Sequence, residues 1–513
     1  MREDRPRRVV PKWRSSAITA GMPEARATRS GVRPDLAVEL AAAQSAFERQ
    51  QVTPIASELM FLANEAGHTE LAIIAANKIL ESSPTIKSQR LLEFAQRVVD
   101  GEGPASSASG NFVQEARKLL AIDYRNPVLL IDVARELTVH HHERSAERYI
   151  RAAIALAPQS RFVVRSAARF YLHVGEHERA HSVLLRSPLV HHDPWVQASE
   201  IAVATVRGRN SVLARKSLRA FSESKGSPIH HAELISAVAT VELNSGAEKS
   251  AKKLFQRSLS SPNDNSLAQA EWAAQRLNLV VDSQALLAPM SFEAHSKNAY
   301  RRLLLEDAIR YGLEWAADEP FAARPAESLG HFYCVVGDYA KAHEQFARIL
   351  RFDESERFGQ QLNLLFTRIH LGDTDEAFQS LMKLSAHPQA ITHTAHLAAN
   401  LGALAYVTGD HLIGREYYNR AIQIARAKQE PFTEAIARAY YARAARDSFD
   451  PLAESIKSEM LAAVKMLPSA GALYIMSGLE TGSRRAAIDS IASKRVATRQ
   501  WTWDQVANVL KIF

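Results

Sequence analysis

The sequence has a single cysteine, Cys334, among 513 residues. One thiol cannot close an intrachain disulfide, and cysteine-built zinc modules are excluded with it. Long apolar runs are also missing. No stretch approaches the about 18 apolar residues of a membrane-spanning helix, so no membrane association is expected. Arg7-Arg8 has no apolar segment behind it, which argues against Sec or twin-arginine export and leaves a cytoplasmic protein as the expectation. Alternating β-branched runs bounded by Asn-Gly or Asp-Gly are nearly absent, so strands are not expected. The sequence has no glycine-rich phosphate loop, no H-E-x-x-H and no G-x-S-x-G elbow. With no motif for catalysis or for a cofactor, neither an enzyme nor a bound cofactor is expected.

What is present begins with charge. Lys and Arg number 63 against 56 Asp and Glu, a formal net charge of +7. Nine basic and three acidic residues fall within residues 1–33, so the rest of the chain is close to neutral. Pro, Gly, Ser and Arg mix there without a helical period, and residues 1–34 are expected to form an irregular basic tail. Within it, Arg7, Arg8, Lys12, Trp13 and Arg14 set an aromatic ring among cations. That pattern suits stacking and phosphate contacts with single-stranded nucleic acid. It suits docking on a partner protein as a short linear segment equally well.

From Asp35 onward, amphipathic helices of about a dozen residues alternate with short breaks rich in Gly, Asp, Ser and Pro. They recur with a fixed period of 34. A frame begun at Arg161 puts Tyr171 at position 11, Gly175 at 15 and Ala180 at 20; one begun at Pro127 puts Leu137 at 11, Ala146 at 20 and Pro158 at 32. The frame from Ala323 is the sharpest, with Leu329-Gly330 at 7–8, Tyr333 at 11, Gly337-Asp338 at 15–16, Ala342 at 20 and Phe346 at 24. Thr53, Trp195, Ala232, Phe358 and Ala395 start further copies. Small residues at 8 and 20 let two antiparallel helices approach, and bulky ones at 7, 11 and 24 fill the space between them. Gly-Asp at 15–16 should end the first helix and cap the second.

These residues resemble the tetratricopeptide repeat over most of residues 53–430, with degenerate copies to about 480. The resemblance implies an all-α, right-handed superhelical solenoid of antiparallel helix pairs, each covering its neighbour's apolar face. It also implies that positions 2, 5, 6, 9 and 13 of each first helix line a concave groove that holds peptides. Arg135 and Arg169 take position 9 of adjacent repeats and Arg165 position 5, so the three are expected to stack as a basic ladder suited to an acidic peptide or C-terminal carboxylate. Farther along, Arg324 and His331 take positions 2 and 9, and Asn363 and Asn400 share position 6, placed to bond an extended peptide backbone. The Lys/Asn carboxylate clamp of chaperone-binding members is not matched. Its positions hold Ser57 and Phe61 in the first frame, and Glu327 and His331 in the sharpest.

The period yields a division into a basic tail (1–34), an N-terminal array (35–262) with a flexible loop near 100–110, a helical connector (263–322), a C-terminal array (323–430) and degenerate repeats (431–513). The connector has no Gly-Asp turn, and the chain is expected to change pitch or divide there. Thr502 and Gln505 form a capping-box pattern ahead of a final helix, which is expected to seal the open end; dimerisation through it is the alternative. The histidines at 140–142, 173, 177, 181, 191–192 and 230–231 fall at turns and junctions, and are expected to be solvated rather than metal-bound. The functional expectation is a non-catalytic scaffold or adaptor that binds a partner protein or peptide. A peptide-sensing regulator and a nucleic-acid-associated subunit contacting DNA or RNA through the tail are the alternatives.

Overall fold

The computed structural model describes residues 11–16, 36–52, 55–56, 59–60, 63, 68–81, 89–100, 112–120, 126–209, 211, 213–214, 228–349, 357–467 and 469–480. Among them every regular element is helical and no strand occurs. None of these helices is long and apolar enough to cross a membrane. The loop expected at 101–110 and the final helix after Thr502 lie outside the described residues.

Helix starts follow from side chains that can accept the unpaired N–H groups of a first turn. Asn126 accepts from Leu129 N at 3.0 Å and opens helix Pro127–Val139. Ser160 does the same for Val163 and opens Arg161–His173. Asp193 accepts from both Trp195 N and Val196 N ahead of Pro194–Val206. Each first helix then turns into a partner: Pro127–Val139 into Glu143–Leu156, Arg161–His173 into His177–Arg186, and Ala323–Val336 into Tyr339–Ile349. The partners pack along each other, giving stacked tetratricopeptide-like helix pairs.

The turn between partners needs one residue in the left-handed region. Gly175, Gly246, Gly337, Gly372 and Gly409 hold it, with φ between 78° and 89°. At Gly337 the following amide, Asp338 N, donates back to Tyr333 O at 2.9 Å, satisfying a carbonyl that the ended helix leaves open. The expected capping by the Asp of Gly-Asp holds only in part. Asp338 accepts from Lys341 N at 3.2 Å, but Asp373 and Asp410 make no side-chain cap bond.

Between partners the small residue at position 8 faces the aromatic at position 24. A Cβ on Gly402 would meet the Tyr418 ring at 2.6 Å, and one on Gly330 would meet Phe346. Both rings are fully buried. Burial of a ring the size of Phe346 contributes roughly 1.5–3 kcal/mol before the entropy of ordering it.

The described residues fall into two compact units, one within 7–291 and one within 292–480. The division at Ser291/Phe292 lies inside the 263–322 stretch read from sequence as a single connector. That stretch is regular helix on both sides. Asp264–Leu277 opens with an Asn263/Ser266 capping box and packs on Pro228–Asn244 in the first unit. Phe292–Arg301 and Leu305–Asp318 pair in the second.

In the C-terminal unit one apolar core runs from Ala299 to Leu479. Its last described helix, Ala470–Glu480, was expected to continue the stack. It packs on Pro431–Asp447 and also turns back onto Ala323–Val336 and Phe292–Arg301, with Gly471 against the Tyr300 hydroxyl and Val335. Arg443 strengthens this closure by donating to Cys334 O (3.0 Å) and Val335 O (2.6 Å). A guanidinium is favourable there because the helix end presents open carbonyls and the negative end of its dipole.

Candidate peptide-binding face

In the N-terminal unit the first helices Pro127–Val139, Arg161–His173, Pro194–Val206, Pro228–Asn244 and Asp264–Leu277 pack side by side in chain order. Residues 11–16 lie across this row. Lys12, Trp13 and Arg14, expected to face a partner from an irregular tail, pack instead against the protein's own helices, Trp13 and Arg14 buried and Lys12 half-buried. Arg7 and Arg8 lie outside the described residues.

Trp13 anchors the segment. Only 1% of it is exposed, and its ring meets Phe170 edge-on with centroids 6.1 Å apart and planes at 84°. This geometry sets the positive rim of one ring against the negative face of the other. The Trp13 carbonyl accepts from Arg135 Nε at 3.1 Å, so a side chain of the row fixes the segment's backbone.

Cations flank the anchor and converge on one carboxylate. Arg14 donates to Asp264 Oδ2 at 2.7 Å and Lys12 Nζ stands 3.2 Å from the same oxygen. Asp264 is 2% exposed and opens its helix, where the helix dipole also favours a negative charge. Burial pushes its carboxyl up, but Arg14 and Lys12 outweigh that and hold it well below the usual carboxylate range. At the other end, Ser16 N donates to Asp132 Oδ1 at 2.8 Å and the Ser16 hydroxyl donates to Oδ2. Here burial wins: the Asp132 carboxyl is raised to about 6, although the Ser16 bonds and the charge of Arg135 pull it down.

The segment therefore runs from Asp264 back to Asp132, opposite to the order of the helices. Asp132 and Arg135 occupy positions 6 and 9 of their repeat, which the frame assigns to the binding surface. Phe170 and Asp264 were not anticipated. Phe170 falls at position 10, and Asp264 lies in the stretch that has no readable frame, so only contact across the row identifies them.

The arginines expected to form a basic ladder are not a bare cationic strip. Arg165 donates to Glu233 Oε1 at 2.7 Å and lies over the Trp195 ring at 5.4 Å. Glu233 is 2% exposed and also accepts from Asn263 and Asn265, both at 3.1 Å. Arg161 pairs with Asp193 at 2.8 Å, and Arg169 is buried. A buried charge without a partner is costly, and Arg161 and Arg165 each meet a carboxylate. The result is a face with as much acidic as basic character, and its occupant is cationic rather than acidic.

In the C-terminal unit, Arg324 stands 3.2 Å from Glu293 and 3.6 Å from Glu319, over Trp315. His331 sits edge-on to Phe346, and burial lowers its imidazole well below the ordinary value. Asn363 donates to Gln360 at 3.1 Å. Asn400 is buried and its amide donates to His396 O of its own helix, while its Oδ1 has no hydrogen-bond partner. The asparagines are thus turned largely toward neighbours on their own helices.

Two histidines depart from the expected solvation. His173 is held near Glu143, and burial with the charge of Arg169 lowers it to about 4. His181 Nε2 lies 2.8 Å from Glu200. Among the described residues no group of three or more His, Cys, Asp or Glu is placed to hold a metal ion. Burial pushes the Cys334 thiol up to about 12, so it is neutral and poorly nucleophilic near pH 7.

No family model matches the chain, and no curated protein matches it in sequence. Among solved structures it is similar to a monomeric mutant of IFIT1 with Gppp-AAAA, at 12% identity over 80% of this chain and 96% of that one, with a TM-score of 0.32. It is also similar to the APC/C hetero-tetramer Cut9-Hcn1, at 10% identity over 89% and 92%, with a TM-score of 0.30. Likenesses this loose carry no inference about ligand or partner.

Proposed function

We propose that the protein is a non-catalytic interaction scaffold that binds extended polypeptide on the first-helix row of its N-terminal unit. One observation carries this reading. Residues 11–16 cross that row through an aromatic anchor, a backbone carbonyl bond and two carboxylate sites. A surface that holds one extended segment by these means has the chemistry to hold another, since none of the contacts depends on the segment's covalent link to the row. The corresponding row of the C-terminal unit is a second candidate. There Asn400 Oδ1 is a buried acceptor without a hydrogen-bond partner, and Arg324, His331 and Asn363 lie on first helices of the same unit.

A nucleic-acid role for Lys12, Trp13 and Arg14 is less well supported. Both cations are engaged by Asp264 and the ring is buried, so the groups that would meet phosphate and base are already used.

The scaffold reading is tested by affinity purification with the full chain carrying Trp13→Ala, which opens the row, and with the same chain carrying Arg135→Glu and Asp264→Lys as well. At least one protein recovered with the first bait and reproduced with purified components should be lost with the second. An identical set of partners from both folded baits would refute the assignment of the face.

A further inference from the structure

From the way residues 11–16 are held, we infer that they stand in for a partner peptide of the same chemistry, a tryptophan between two cations followed by a short hydroxyl residue, which competes with them for the first-helix row. This inference rests on the scaffold reading and names what the face selects.

Each subsite sets one requirement. The Phe170 site takes a large flat ring edge-on and closes over it, so a smaller apolar residue leaves unfilled volume. Asp264 is buried with two cations around one oxygen, and an occupant without them would leave that carboxylate desolvated and unpaired. Asp132 accepts from an N–H and a hydroxyl of the same residue, Ser16, which a serine or threonine supplies and a proline does not. Arg135 asks only for a carbonyl and is indifferent to sequence. The spacing is fixed as well. The anchor follows the first cation directly and precedes the hydroxyl residue by three. An acidic peptide, the occupant suggested by the arginines alone, would bring its charge against Asp132 and Asp264.

Residues 11–16 belong to the same chain and so act at a high effective concentration, which weakens any external peptide of equal intrinsic affinity. Removing the internal anchor should therefore strengthen external binding, an effect opposite to that of damaging the row.

The test is a fluorescence-anisotropy titration of a labelled synthetic peptide with the sequence of residues 9–18 against two full-length proteins, the unaltered chain and Trp13→Ala. The Trp13→Ala chain should bind at least about tenfold more tightly. A peptide with alanine in place of tryptophan, and one with both cations changed to glutamate, should each lose at least about tenfold on the Trp13→Ala chain. A further Asp264→Asn change in that chain should weaken the parent peptide while far-ultraviolet circular dichroism stays unchanged. Equal affinity for the two proteins overturns the inference, as does failure of the folded Trp13→Ala chain to bind. Should partners map to the row while the peptide does not bind, the scaffold reading survives and the stated chemistry falls. Peptide binding with no partner on the row gives the reverse.

Discussion

At the scale of single residues, two carboxylates hold the ends of the segment in different ways. Asp264 remains ionised because two cations accompany it into the interior; Asp132 is offered an amide and a hydroxyl, and its carboxyl rises to about 6 from 3.8. The sign of the pH effect follows. A carboxyl raised in the folded state holds its proton more tightly there than in the unfolded chain, so its contribution to folding is fully present below pH 3.8 and is lost as pH rises through about 6. Asp264 stays charged across that window. The N-terminal unit should therefore resist denaturation more at pH 5 than at pH 7, by about 1 kcal/mol, read as the shift of its denaturation midpoint. Asp132→Asn removes the ionisation and should abolish the difference. A pH dependence that persists in that variant would assign the effect to another group.

At the scale of elements, the repeat was legible where glycine and small residues carry the geometry. The Ala323 and Ala395 frames place Gly330 and Gly402 opposite Phe346 and Tyr418, as the structure does. Gly402→Ala drives a Cβ into a fully buried ring and should cost about 1–3 kcal/mol, seen as a lower denaturation midpoint; an unchanged midpoint would show that the pair is loosely packed. The turns that lack Gly-Asp share a physical feature. His141, Leu303 and Phe449 hold the left-handed position with φ of 59°, 62° and 57°, without the glycine that announces it elsewhere. Phe449 is 62% exposed and has little packing to lose, so Phe449→Gly should stabilise the C-terminal unit by about 1 kcal/mol. A fall in melting temperature would mean that its ring is held by more than its exposure suggests. The same absence of Gly-Asp sets residues 263–322 apart in the sequence as a helical connector, and helices lie on both sides of Ser291.

At the scale of the whole molecule, the net charge of +7 points toward a basic protein with a detachable tail, and the described part of that tail is consumed internally. Local sequence could not reveal this. The partners of residues 12–16 lie 116 to 276 positions away, and a Pro-Arg-Ser stretch has the same local character whether it is solvated or seated on a helix row. The periodic frame singled out Arg135 at position 9, but it said nothing of the segment that lies against it. In the C-terminal unit the chain likewise turns back on its own first helices, through Ala470–Glu480 and Arg443. In both units, then, a segment distant in sequence packs on the first helices. The central claim is that the N-terminal row carries residues 11–16, and site-specific photocrosslinking tests it most directly. With p-benzoylphenylalanine in place of Trp13 in the full chain, irradiation should give an intramolecular product joined near Phe170 and Arg135. Attachment elsewhere, or no intramolecular product from the folded protein, would contradict it.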